Sequence, residues 1–166
     1  KMTLDIGRAP DFRSHLSTGS LAGEVAKRDH DAYYRWDRAL KLSADIEDTQ
    51  NCLTTAWSHL SDSVMPFSSA RLGPFIDQGT QIMFAKFLVA IEELCRYESD
   101  HVLGYSGILA TFPFPDEPEP LHRMKIEPPV PIDFYERRLE FRSKALELWA
   151  KLGEYIAVRY SKYADI

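Results

Sequence analysis

The 166-residue chain predicts an all-α fold: an antiparallel bundle of three long helices, elongated, with coiled-coil-like seams, and of four helices if the first breaks near 43–51. Three observations point there. No proline occurs between Leu21 and Val64 and no glycine after Gly23, a silence that marks a long helix. Apolar residues recur at seven-residue spacing in three separate stretches. Proline and glycine are otherwise gathered into a few short segments that punctuate those stretches.

Residues 1–20, "KMTLDIGRAPDFRSHLSTGS", mix glycine, proline and serine with little periodicity and read as an N-terminal arm; 21–166 form the helical domain. In the first helix, Leu21 to Val64, one row is Val25, Ala32, Ala39, Ile46, Leu53 and Leu60. Its companion is Asp29, Trp36, Ser43, Gln50, Trp57 and Val64, a seam with a polar middle. "MPFSSARLGP", Met65 to Pro74, is a turn. The second helix runs from about Phe75 to Thr111, with Thr80, Phe87, Leu94, His101 and Ile108 in one row and Ile76, Met83, Ala90, Tyr97 and Gly104 in the other. Its glycines, each costing about 1 kcal/mol against alanine, predict fraying or a kink past His101.

Seven prolines between Pro113 and Pro131 forbid a helix there, and the segment reads as a stiff, extended connector. The third helix interleaves Ile132, Leu139, Leu146, Gly153 and Tyr160 with Tyr135, Arg142, Trp149, Ile156 and Tyr163. Helices of about 33 to 44 residues would be roughly 50 to 65 Å long, so the expected shape is a rod.

A hydrophobic content of 45 % and an aromatic content of 12 % suit one folded domain with its own core. The formal charge of −5 opposes broad phosphate binding, so no nucleic-acid partner is expected, and an anionic membrane surface is disfavoured for the same reason. No run approaches the ~20 apolar residues of a membrane span, and the N-terminal stretch has no basic-then-apolar leader, so a cytoplasmic location is the expectation. Cys52 and Cys95 stand alone, without zinc-ligand spacing. Counting outward from the turn near residue 70 places them about 10 Å apart along the axis, so both thiols are expected free.

Only "RYESDH", Arg96 to His101, has a chemical look. Glu98 and His101 form a Glu-x-x-His pair, but the other such pair, Glu119 and His122, lies in the proline-rich segment, so a di-iron centre lacks its second helix. No cofactor and no metal site are expected. The spacing of Arg96 and His101 resembles the Arg-His pair of HEPN ribonucleases, four-helix proteins that act as dimers, although Glu98, Ser99 and Asp100 between them are all polar. That resemblance would make Arg96 and His101 catalytic; without it the chain offers no catalytic residue. The bland reading of His101 is a member of a polar layer with Ser43 and Arg142.

The three-helix layout also looks like a BAR domain, and "FYERRLEFRSKALELWAKL" is similar in texture to the last helix of the sorting-nexin type, which implies a membrane-associated dimer. The leading expectation is different: a non-enzymatic helical protein that presents a surface to a protein partner or to its own copy, as a scaffold or an immunity- or antitoxin-like protein would. Tyr33, Tyr34, Tyr155, Tyr160 and Tyr163 crowd near helix ends and flanks, and such aromatics are enriched where proteins bind one another.

Overall fold

A computed structural model describes residues 18–50, 52–59, 61–62, 74–112, 119–126 and 129–163. The chain is mostly helical. Its long helices are α1 (Thr18–Gln50), α2 (Gln78–Ser99) and α3 (Phe134–Tyr163), of 33, 22 and 30 residues. Between α2 and α3 lies an antiparallel hairpin of β1 (Val102–Phe112) and β2 (Glu119–Ile126), so the fold is not all-α. Residues 1–17 of the expected arm lie outside the described residues, and Thr18 to Ser20 belong to α1.

Three expectations are corrected by this. The second helix stops at Ser99 rather than Thr111, because "VLGYSGILATF" is rich in residues that suit a pleated strand and its glycines serve bulges rather than a frayed helix. Register shifts interrupt the pairing between Val102 and Gly104, between Ser106 and Ile108, and between Ile108 and Ala110; Gly107 takes a φ of 59°, which favours glycine. The connector is not uniformly polyproline-like either. Its proline-free part, from Leu121, is strand, with Pro120 admitted next to the strand's first residue. The first helix ends at Gln50, inside the window where a break was foreseen, and a short helical stretch follows from Ala56.

What stops α1 there is pairing. Met124 N–H donates to the Leu53 carbonyl at 2.9 Å and Thr55 N–H to the His122 carbonyl at 3.0 Å, with Thr54 bridging Arg123. The residues just after α1 thus make an isolated antiparallel bridge to the outer edge of β2.

Both α1 and α2 pack on α3 and run opposite to it. Tyr33 and Asp37 of α1 meet Trp149, and Glu47 meets Arg138; Asp77 at the start of α2 meets Arg159, and Glu98 near its end meets Arg138. Hence α1 and α2 are parallel to each other, and the antiparallel first hairpin implied by a tight turn near residue 70 is not formed. Asp29 makes the same point at the far end, accepting Ile76 N–H at 2.7 Å and Asp77 N–H at 3.0 Å.

The main core cluster is built from all three helices, and a smaller one joins Leu53, Met124 and Phe134. Trp149 is stacked on Tyr33 with centroids 4.5 Å apart and touches Phe87 at 4.8 Å, while Trp57, Leu40, Ile91 and Leu152 are fully buried around it. Each helix shows one of its expected rows buried: Asp29, Trp36 and Ser43; Thr80, Phe87 and Leu94; Arg142, Trp149 and Ile156. The second row lies one residue further along in α1 and α2 and one residue earlier in α3. It is Ala26, Tyr33, Leu40 and Glu47 in α1; Phe84, Ile91 and Glu98 in α2, preceded by the half-buried cap Asp77; and Arg138, Ala145 and Leu152 in α3, followed by half-buried Arg159. Leu139 and Ile132 of the expected row are exposed.

Candidate functional site

Those rows bring charge into the interior. Two carboxylates from α1 and α2 reach one level of the core, where α3 answers with two guanidinium groups. Glu47 accepts Arg138 Nη1 at 2.7 Å and Nη2 at 3.0 Å, Arg142 Nη1 at 3.0 Å, Thr54 N–H and Oγ1 at 3.0 Å each, and Trp57 Nε1 at 3.2 Å. Arg138 Nε donates to Glu98 at 2.9 Å, and Arg142 Nη2 donates to Asp48 at 2.7 Å. Glu47, Glu98, Arg138 and Arg142 are all buried, whereas the Asp48 side chain is 66 % exposed.

The two glutamates differ in electrostatic state although they share Arg138. Burial would raise Glu47, but the hydrogen bonds and charge of Arg138, helped by Thr54 N–H and Arg142, outweigh it and hold the carboxyl below the usual range. Burial raises Glu98, and the single contact from Arg138 does not offset it; the charge of Glu47 raises it further. One Glu98 oxygen, Oε1, has no hydrogen-bond partner among the described residues. Glu47 is therefore the anionic hub, and Glu98 is the group that takes up a proton first. Arg138 is held protonated well above its ordinary range, burial notwithstanding, by both acids.

A cleft of about 260 Å³ opens beside this layer, walled by Asp48, Cys52, Leu53, Tyr135 and Leu139. Further along the α1–α3 junction a second depression, of about 470 Å³, is lined by Tyr34, Leu146, Ala150, Gly153 and Ala157 among others. Cys52 and Cys95 are both free, as expected, although the reasoning about a tight hairpin does not apply. Burial, with the nearby Glu98 charge, pushes the Cys95 thiol up to about 12.

The opposite end carries a lighter version of the same device. Asp77 caps α2 by accepting Thr80 N–H at 3.0 Å, accepts the Tyr155 hydroxyl at 3.0 Å and lies 3.3 Å from Arg159. Row for row, α2 reads acid, apolar, apolar, acid and α3 read backwards reads arginine, apolar, apolar, arginine. Ion pairs at both ends of two shared heptad rows penalise a slip of either helix.

Arg96 and His101 of "RYESDH" are not brought together by any described contact, and Glu98 meets His101 only through the backbone, its carbonyl accepting His101 N–H at 3.0 Å. Arg96 is exposed on α2, while His101 lies past the helix end with its ring edge-on to Phe134 at 5.0 Å. Arg142 joins the polar layer, but Ser43 spends its hydroxyl on the Leu40 carbonyl within α1 and His101 stands apart. Of the five tyrosines, Tyr33 is buried and donates to the Trp149 carbonyl, Tyr155 is tied to Asp77, and Tyr160 stacks on His30 at 4.0 Å; Tyr34 is half exposed. Glu47, Thr54 and Arg138 escaped the sequence reading, which took Trp57 only as a seam residue and Glu98 only as a metal ligand beside His101. A signal existed: apart from Asp77 and Arg159 at their far ends, the heptad rows that hold Glu47, Glu98 and Arg138 are otherwise apolar.

Fold and site together define a mostly helical protein with a small hairpin and a buried ionic layer where three helices meet. Among the described residues no group of His, Cys, Asp and Glu could hold a metal ion, and no helix is long and apolar enough to cross a membrane. No protein-family model matches the chain, and no curated protein or solved structure matches it.

Proposed function

We propose that the protein is a non-enzymatic interaction module whose binding face is the outer side of α3. One observation carries this reading. Tyr135 and Leu139 of α3 have the three-four spacing of a buried seam, yet they are 56 % and 49 % exposed, and Ile132 in the turn just before the helix is 105 % exposed. The helix therefore has two apolar faces, and the chain's own elements cover one of them. Exposed apolar residues scattered singly need no explanation, but a row at helical spacing beside two depressions suits a partner. The ionic layer supports the reading in a second way. Its acids and guanidinium groups are engaged with one another, with Thr54 and with Trp57, which fits a device that fixes the helices rather than one that turns over a substrate.

Leu139→Asp tests it. Light scattering over a range of concentrations, together with affinity capture from cells that make the protein, should reveal a self-complex or a partner that this variant loses while its circular dichroism stays unchanged. A strict monomer that retains nothing would contradict the reading.

A further inference from the structure

The groove between α1 and α3 has a composition that selects its occupant. Along α3 its floor is apolar and small at Leu139, Leu146, Ala150, Gly153 and Ala157, interrupted by Arg142, and α1 walls it with Tyr34, Asp37, Lys41 and Asp48. From Leu139 to Ala157 the helix rises about 27 Å, the length of roughly five helical turns. Its outer rim is acidic. At about 100° per residue, Glu136, Glu140 and Glu154 fall about 60° to 100° round from Leu139, on the side away from the buried row.

None of these three glutamates has an ion-pair partner among the described residues, and neither does exposed Asp45 of α1. Of the cations nearby, Lys41 is paired with Asp37 at 2.9 Å, Lys144 with Glu93 at 3.7 Å and Lys151 with Glu147 at 3.9 Å, while exposed Arg38 on the α1 wall has no ion pair among the described residues. The same charges argue against a second copy. Pairing α3 with α3 would set one glutamate rim against another, and like charges across an interface oppose association.

We infer that this groove docks an amphipathic helix of another protein, one with an apolar stripe flanked by lysine or arginine. The inference rests on the proposed binding face and adds the chemistry of the partner. An apolar stripe at positions i, i+3, i+4 and i+7 would fill the floor, as helices do in other grooves, while the basic flank meets Glu136, Glu140 and Glu154.

Two fluorescein-labelled 18-residue peptides test it against the full chain by fluorescence anisotropy. Both carry leucine at the stripe positions; one has lysine on the flanks and the other glutamate. The lysine peptide should bind at least tenfold more tightly, lose tenfold or more on Ala150→Trp, which fills the exposed floor, and weaken when salt rises from 50 to 300 mM, in roughly the range where screening grows strong. Equal affinity for the two peptides, or binding indifferent to Ala150→Trp in a variant of unchanged circular dichroism, would overturn the inference. A complex that depends on Leu139 but no binding of the lysine peptide would sink the groove assignment and leave the binding face standing. Failure of both measurements would remove both.

Discussion

At the scale of single residues, the sharpest contrast is between Glu47 and Glu98, chemically identical and bonded to the same arginine. Glu47→Gln removes the counter-charge of two buried guanidinium groups and should cost about 3–5 kcal/mol. Glu98→Gln leaves Arg138 still paired with Glu47 and should cost no more than about 1 kcal/mol at pH 7. Their pH dependences have opposite signs. The folded state holds the Glu47 carboxyl below its unfolded value, so its contribution is complete above the unfolded value and is lost only as pH falls through the lowered folded one. The folded state holds Glu98 above its unfolded value, so the folded protein takes up that proton first and gains stability relative to Glu98→Gln as pH falls through the raised value. Urea unfolding at pH 7 and 5 should show wild type improving against Glu98→Gln and keeping its full advantage over Glu47→Gln. A loss of that advantage at pH 5 would show that the hub is assigned to the wrong glutamate.

The thiols make a second residue-level prediction. With its thiol pushed up to about 12, Cys95 is almost entirely protonated at pH 8, and the thiolate is the reactive form. A colorimetric thiol reagent should not label Cys95 in the native protein until the chain is unfolded; rapid native labelling of that cysteine, located by mass spectrometry, would contradict its placement.

At the scale of elements, the helices were legible and the hairpin was not. Leu21 to Gln50 and Ile132 to Tyr163 announced themselves by period and by the lack of proline, because nothing in them competes with a helix. Val102 to Phe112 continues the apolar character of α2 without a proline, and its glycines are ambiguous, weakening a helix and shaping a strand alike. Its partner strand was hidden by the prolines around it. Pairing between residues on either side of a hairpin, from Phe112 with Glu119 to Val102 with Ile126, leaves no period to read.

Helix packing at this scale turns on close approach. Tyr33 lies against the Gly153 backbone, so that a Cβ at 153 would collide with its hydroxyl, and that hydroxyl donates to the Trp149 carbonyl. Gly153→Ala should therefore destabilise by about 1–3 kcal/mol, although alanine is the better helix former by about 1 kcal/mol. In Tyr33→Ala both the hydroxyl and the ring carbons that a Cβ at 153 would meet are gone, and the penalty of Gly153→Ala should shrink. Thermal unfolding of the four proteins of this cycle measures it; an identical penalty in both backgrounds would show that the two residues do not meet.

At the scale of the molecule, the buried rows explain why the site was missed while most of the core was found. An acid or an arginine at a heptad position reads as a solvent-facing residue, so the apolar neighbour one place away was taken into the seam instead: Ile46 for Glu47, Tyr97 for Glu98, Leu139 for Arg138. In α1 and α2, Ala39 and Ala90 of the expected rows are buried and Ile46 and Tyr97 are partly buried, whereas in α3 the expected row kept its period but turned Leu139 to solvent. That one-residue difference decides the outcome, since a rotation of about 100° moves a side chain from the core to the surface. The same displacement frees the row of Ile132 and Leu139 for a partner, so the account of the fold and the proposed function stand on one geometry.

The most direct test of that geometry compares two leucines of α3 that differ only in their row. Leu152 is fully buried and Leu139 is half exposed. Urea unfolding should show Leu152→Ala costing about 2–5 kcal/mol, as a buried leucine does, and Leu139→Ala costing well under 1 kcal/mol. Equal losses at the two positions would place Leu139 in the core and contradict the account.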